Sequence, residues 1–416
     1  MTKIDSKLRR KAEWLLRRAE GVLLPEAILA EEASHLAPAE AEQKLRALDV
    51  EVPELNLTAR LAALTEATNS YAARRDYLTR YGCAGVRRFP ARGDVAIYLL
   101  PVETFPHHIN NIYLVIEPGH AMLFDVSSGL DTSRRDLALG FAVVRAMFGE
   151  TVRFETLDTA VVSHAHIDHF GGVNDLKVRS AARLCVHELD ARVIACFEER
   201  VLIASRDVSV FLRRAGVPEE ERKTMLGLYM SSRDWFRSAE VDRALRDGDL
   251  IGGGHRVIHT PGHCPGQICL LVGDVLLTGD HVLGRTTPHQ FPQAITPFGG
   301  LEHYFHSLAK VRKLDLVNLT LAGHEEPIAD LRTRVDEIAA FHRERLLKVR
   351  DLCERPRTIA DVASDLFGKQ EGYGTILAIE EAGAHVEYLH TLGKLRIANL
   401  DEVATKEDPV LQYVRR

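Results

Sequence analysis

Seven side chains of metal-ligating type stand where short apolar runs give way to loops. The runs are AVVSHAHIDH at 160–169, VIHTPGH at 257–263, LLTGDH at 276–281 and LTLAGH at 319–324, and they supply His164, His166, Asp168, His169, His263, Asp280 and His324. Imidazole and carboxylate donors without thiolate suit zinc, and leave room for iron, manganese or cobalt. In HAHIDH, His164 and His166 sit two apart at the end of a strand. Extended backbone repeats every two residues, so both rings can face one side. Asp168 and His169 follow in the turn, where Gly171-Gly172 is read as permitting an unusual backbone path into a helix. One loop thus offers two ligands to one ion and two to a neighbour. His263 follows Thr-Pro-Gly, a turn that sets its direction. Asp280 has two oxygens and can bridge two cations, and His324 completes the set. With 19 histidines in 416 residues, HxHxDH arises by chance in roughly 0.002 of such chains. Two divalent ions sharing an activated water is the chemistry this pattern specifies.

Strand ends and loops must position these groups. From Val95, AIYLLPVE, NIYLVIE and AMLFDVSS read as short strands parted by breakers such as Pro118-Gly119. Strand-like runs then alternate with helical stretches, among them Arg134–Phe148 and Leu301–Lys313, to about residue 330. That alternation predicts a layered α/β architecture. Residues 1–94 read as a helical extension without a catalytic pattern. The β signal is lost between Arg192 and Arg246, which reads as a helical insertion on the site side, either a lid or a packed subdomain. It carries 11 basic and nine acidic residues, compatible with an anionic substrate or with an ordinary solvated face. Residues 331–416 read as a charged helix followed by helix, turn, helix and a small β-wing, the outline of a winged helix.

The whole chain sets bounds. At 46% hydrophobic and 27% charged residues its composition is that of a globular protein, with length for one large or two to three smaller domains. No apolar run reaches the roughly 18 residues of a membrane span, and the N-terminus has no apolar secretory region. Six cysteines without a CxxC pair fit a reducing, cytoplasmic setting. A net charge of −6 gives no general pull toward nucleic acid. Residues 356–400 carry four basic against six acidic side chains, and the candidate recognition helix at 375–390 has three glutamates with no Lys or Arg. Phosphate neutralisation is therefore weak there, and the module is read as packing or as a homodimer contact.

The order HxHxDH, TPGH, TGDH and GHEEP resembles the metallo-β-lactamase superfamily over about residues 95–330, in its dinuclear hydrolase branch. The resemblance implies an αββα sandwich with two metals, expected to be Zn2+, at one edge of the sheets. It implies that His164, His166 and His263 hold the first ion and Asp168, His169 and His324 the second, with Asp280 between them. Asp168 and Asp280 are then the catalytic carboxylates. Asp125, ending AMLFD, matches the family's supporting aspartate, and His281 beside Asp280 is a candidate for a supporting or proton-shuttling role. His107 and His108 could reach the mouth of the site but are read as surface residues, and Cys264 is read as structural. His166 stands where flavo-diiron relatives carry Glu, which weighs against that redox branch. The insertion and C-terminal module resemble the β-lactamase-like protein 2 group more than compact glyoxalase II. The expected activity is hydrolysis of an ester or thioester, acyl-CoA or acyl-glutathione, with a small-molecule acyl partner. A ribonuclease is the alternative, and persulfide oxidation ranks below it.

Overall fold

A computed structural model describes residues 85–416. The helices expected before residue 85 lie outside the described residues. Arg87–Ala91 (β1) is a strand, so the first sheet begins earlier than Val95. Phe89 and Ala91, two apart, pack on the inter-sheet core while Arg88 and Pro90 face solvent, the period of an edge strand. Val95–Phe105 (β2) and His108–Glu117 (β3) form a long antiparallel hairpin, and His120–Phe124 (β4) pairs antiparallel with β3. Asp131–Phe148 (α1) crosses over to Thr159–Val162 (β5), which lies parallel to β4. Two short helices follow, Ile167–Phe170 (α2) and Val173–Arg179 (α3), before Arg183–His187 (β6), parallel to β5.

The interruption between the ligand motifs is helical, but its limits differ from those read in the sequence. Its first helix, Glu188–Ala195 (α4), begins before Arg192, and Phe197–Arg214 (α5) and Glu219–Trp235 (α6) follow. Arg243–Leu245 (β7) then returns to the first sheet as a seventh strand beside β6. Three residues are too few to show a period, so β7 leaves no signature in the sequence. The insertion is packed rather than free. Phe197 and Val201 belong to the core outside the first sheet, whereas Val208, Phe211 and Leu212 pack with Val349, Ile376 and Ile379.

The second sheet runs β12-β11-β10-β9-β8. Its strands are Leu250–Ile251 (β8), His255–His259 (β9), Ile268–Val272 (β10), Val275–Gly279 (β11) and, after helix Leu301–Val311 (α7), Leu319–Ala322 (β12). Side-chain alternation builds the layers. In β2, Val95, Ile97 and Leu99 meet Val257, Leu270 and Leu277 of the opposite sheet, while Ala96, Tyr98 and Leu100 face the outer helical layer. Each buried Leu or Ile contributes roughly 1.5–3 kcal/mol, so a one-residue slip would forfeit both faces. Tyr304 and Leu308 of α7 cover the second sheet's outer face with Val335 and Ile338 of Leu331–Leu352 (α8). The result is an αββα sandwich.

The C-terminal helices are Ile359–Phe367 (α9) and Tyr373–Thr391 (α10). Thr358 and Asp361 form a capping box at the start of α9. The expected wing, Leu395–Ile397 (β13), pairs not within a tight hairpin but with Tyr413–Arg415 (β14), and helix Leu400–Thr405 (α11) lies between them. Ala382, Ala384, Val386 and Leu389 bury much of α10. Among the described residues no helix is long and apolar enough to cross a membrane, and the five cysteines are free thiols.

Candidate metal centre

All seven sequence-derived donors meet at one edge of the sandwich, where β5, β9, β11 and β12 end. His164, His166 and His263 each bring a ring nitrogen within 4.8 Å of the others. His169 Nε2 lies 3.3 Å from Asp168 Oδ2, and His324 Nε2 lies 3.5 Å from the same oxygen. Asp280 stands between the groups: Oδ1 is 3.5 Å from His169 Nε2, and Oδ2 is 3.3 Å from His324 Nε2 and 3.8 Å from His263 Nε2.

Hydrogen bonds behind the rings set their tautomers. His263 Nδ1 donates to the carbonyl oxygen of His289 at 2.8 Å, and His324 Nδ1 to that of Ile109 at 2.8 Å. His169 Nδ1 donates to Asp125 Oδ2 at 2.9 Å. The Ser163 hydroxyl also donates to Asp125 Oδ2, at 2.9 Å, so it accepts from His164 Nδ1, likewise at 2.9 Å. All four imidazoles therefore keep Nδ1–H outward and turn Nε2 inward, which is how metal-binding histidines are commonly held. Asp125 is buried, accepts from Ser163 N at 2.7 Å as well, and has a left-handed backbone with φ 67°.

The electrostatics match. Burial lowers His164, His166 and His263, the second to about 3, so these rings are neutral. Burial would raise Asp168 and Asp280, but the imidazoles beside them outweigh it and hold both well below the usual carboxylate range. Burial likewise opposes charge on His169 and His324, yet the carboxylates prevail, taking His324 to about 10. The centre thus demands positive charge. His263 Nε2 and Asp280 Oδ1 are buried without any hydrogen-bond partner. Such orphans are costly unless something else is bound, and divalent cations fit both the donors and the field.

Close backbone approach shapes the ligand loop. A Cβ on Gly172 would lie 2.1 Å from the Val126 carbonyl oxygen, and one on Gly171 would lie 2.5 Å from that of Ser128. These glycines are needed for contact with the 126–129 loop, not for an unusual path: Gly171 has φ −55° and Gly172 φ −78°. Asp168 and His169 ride on α2 rather than in a turn.

Further residues serve the centre. His108, expected at the surface, puts Nε2 3.1 Å from Asp168 Oδ2. Asn110 is fully buried and points Nδ2 at Asp168 Oδ2, 3.1 Å away. Its signal was legible, since Asn110-Asn111 is a polar pair inside an apolar strand. Asp190, with no such signal, joins two ligand loops by accepting from Ala165 N and Gly266 N, both at 2.8 Å. Cys264 donates to the same carboxylate from 3.3 Å, which accounts for its structural role. Phe291 lies against the rings of His166 and His263. His281, in contrast, makes no hydrogen bond with any of the seven; its ring stands edge-on to Tyr304 at 5.4 Å, and burial pushes it down to about 3.

The C-terminal glutamates also face inward. Glu381 Oε2 accepts from Gln290 N at 2.7 Å, its Oε1 is 2.5 Å from Arg345, and Glu387 accepts from Gln293 N and Ala294 N. His289 sits 3.3 Å from both Glu380 and Glu381, which overcome its burial and lift it to about 9.

The family model described as the metallo-beta-lactamase superfamily matches residues 106–352, more than half of the chain. The chain belongs to this superfamily. A relative, metallo-beta-lactamase fold-containing protein ST1585 of Sulfurisphaera tokodaii, is 25% identical over 199 residues, 46% of this chain and 63% of that protein's length. Human (Homo sapiens) acyl-coenzyme A thioesterase MBLAC2 is 26% identical over 223 residues, 51% of this chain and 72% of its own. The crystal structure of metallo-beta-lactamase family protein TTHA1429 from Thermus thermophilus is similar at 27% identity and TM-score 0.61, covering 77% of this chain and 98% of that one. This is a metallo-β-lactamase-fold protein with a hydrolase among its relatives.

Proposed function

We propose that the protein is a dinuclear metal-dependent hydrolase of esters or thioesters, of the acyl-CoA or acyl-glutathione type. One observation carries the reading: two donor groups face each other with Asp280 between them. His164, His166 and His263 would hold one ion, and Asp168, His169 and His324 the other. Zinc suits these nitrogen and oxygen donors. Ions so held lower the pKa of a shared water and polarise a carbonyl.

The chain supplies the rest. Asp125, Ser163 and two backbone carbonyls keep four imidazoles in the binding tautomer. Asp280, ionised and with Oδ1 unpartnered, would help to orient the attacking water. Phe291 presents an apolar wall beside His166 and His263. A thiolate leaving group needs little protonation, since thiols have pKa near 8.5, and the similarity to a protein named as an acyl-coenzyme A thioesterase favours the same substrates.

The ribonuclease alternative needs a basic surface on the C-terminal module. The three glutamates of α10 instead bind the 289–294 loop, and buried Ala382, Ala384, Val386 and Leu389 occupy much of the rest of that helix. Packing is thus the favoured role of the module. The test is elemental analysis of purified protein with a panel of acyl-CoA, acyl-glutathione, lactone and RNA substrates. Two ions per chain and thioester turnover are expected, with one ion lost in Asp168→Ala. RNA cleavage without thioester turnover would reverse the assignment, and iron with oxygen consumption would favour the persulfide reaction.

A further inference from the structure

We infer that His108 is an additional protein ligand of the second ion, contributed by the β2–β3 hairpin and lying outside the seven strand-end donors. The inference rests on the dinuclear reading above. His108, Asp168 and His324 bring donor atoms within 4.8 Å of one another, as do His164, His166 and His263, and His164, His169 and Asp280. Donors around one ion with bonds near 2.1 Å are about 3.0 Å apart at right angles and about 3.4 Å apart when tetrahedral. His108 Nε2 is 3.1 Å and His324 Nε2 3.5 Å from Asp168 Oδ2, close to that range. The rings of His108 and His324 lie with centroids 4.7 Å apart.

The hairpin is built to hold this side chain. The ladder of β2 and β3 is irregular between Glu103 and Phe105, and His107 takes a left-handed φ of 64°. Glu103 Oε1 accepts from His107 N at 2.8 Å, and Thr104 Oγ1 reaches the His108 carbonyl oxygen at 3.1 Å. His107 is thereby turned out and His108 in. A hydrogen bond from His108 to Asp168 would be the weaker role, because Asn110 Nδ2 already donates to the same oxygen at 3.1 Å.

With His108, the second ion has five protein donors against four for the first, counting Asp280 for both. A shared water then brings the second site to six, the number preferred by iron and manganese over zinc. The two positions would differ in metal preference as well as in affinity. His108 is also half exposed, so it is the ligand an incoming substrate meets first.

The test titrates the metal-free full chain with Zn2+ and Co2+, followed by calorimetry and cobalt absorption. It compares the parent with His108→Ala and with His107→Asn, a neighbour whose replacement tolerates left-handed backbone. The second ion's affinity should fall in His108→Ala by more than the about ten- to hundredfold that loss of a hydrogen bond behind a ligand costs. The first ion should be unaffected, and the cobalt bands should intensify as coordination drops. An unchanged cobalt spectrum in His108→Ala, with or without a fall in affinity, would overturn the ligand while leaving the dinuclear reading intact. Equal weakening by His107→Asn would also overturn it, since the hairpin and not the imidazole would be responsible. Fewer than two ions on the parent would overturn both.

Discussion

Asp190 is the sharpest test of how the ligand loops are held. It is buried, and its two oxygens accept from Ala165 N and Gly266 N at 2.8 Å each. Ala165 lies between His164 and His166, and Gly266 is three residues past His263, so one carboxylate links both halves of the His164, His166 and His263 group. Asp190→Ala strands the buried Gly266 amide and the part-buried Ala165 amide. Each costs about 1–3 kcal/mol, so the loss is about 2–6 kcal/mol, toward the lower end if a water enters. Typical domain stability is about 5–15 kcal/mol, so this is a large share. Asp190→Asn keeps one accepting oxygen and turns an amide NH2 toward the other donor, and it should cost about half as much. Urea unfolding of metal-free protein reads the stability, and chelator competition reads the first ion. Asp190→Ala should lose both stability and first-ion affinity, with Asp190→Asn between it and the parent. An Asp190→Ala protein within about 1 kcal/mol of the parent, still binding the first ion normally, would refute the reasoning.

Other perturbations address neighbouring links. Glu381→Gln keeps an acceptor for Gln290 N but removes the charge facing Arg345 and His289; first-ion affinity, read by chelator competition, should drop about tenfold through the His289 carbonyl that orients His263. In Gly323→Ala the new methyl would lie 2.4 Å from Asp280 Oδ1 and 3.0 Å from His169 Cε1. Metal content should fall while the circular dichroism spectrum stays native. His187 stacks on His259 at 3.9 Å, and burial followed by that neighbour lowers it to about 4. A folded value below the unfolded 6.5 means this contribution is complete above pH 6.5 and is lost as pH falls toward 4, by about 3 kcal/mol. His187→Asn retains a helix-capping acceptor, so urea unfolding at pH 7.5 and 5 should show a shallower pH dependence than the parent.

The converging donor set was legible because strand ends carry a local signature: apolar run, small residue, donor. His164, His166, His263, Asp280 and His324 each follow that grammar, and α/β layering follows from the alternation of periods. The helices α1 and α7 are likewise near the stretches read at Arg134–Phe148 and Leu301–Lys313, and α8, α9 and α10 follow the expected order of helices. Strands β1 and β7 were not legible because five and three residues are too short for periodicity to show. The glycine pair matters for a reason other than the one its sequence suggests, since close approach involves a second chain segment that no local pattern records.

The chain's own order of residues determines which donors exist, which strands carry them and what charge the centre needs. Folding alone decides their supports. Asp190 lies 25 residues from Ala165 and 76 from Gly266, and Glu381 lies 91 from Gln290. His108 is 60 residues from Asp168, and Ile109 is 215 from His324. Covalent neighbours impose periodicity over a few residues. A hydrogen bond between distant segments depends on where packing of the two sheets and their helices brings the backbone, and that is settled only in three dimensions.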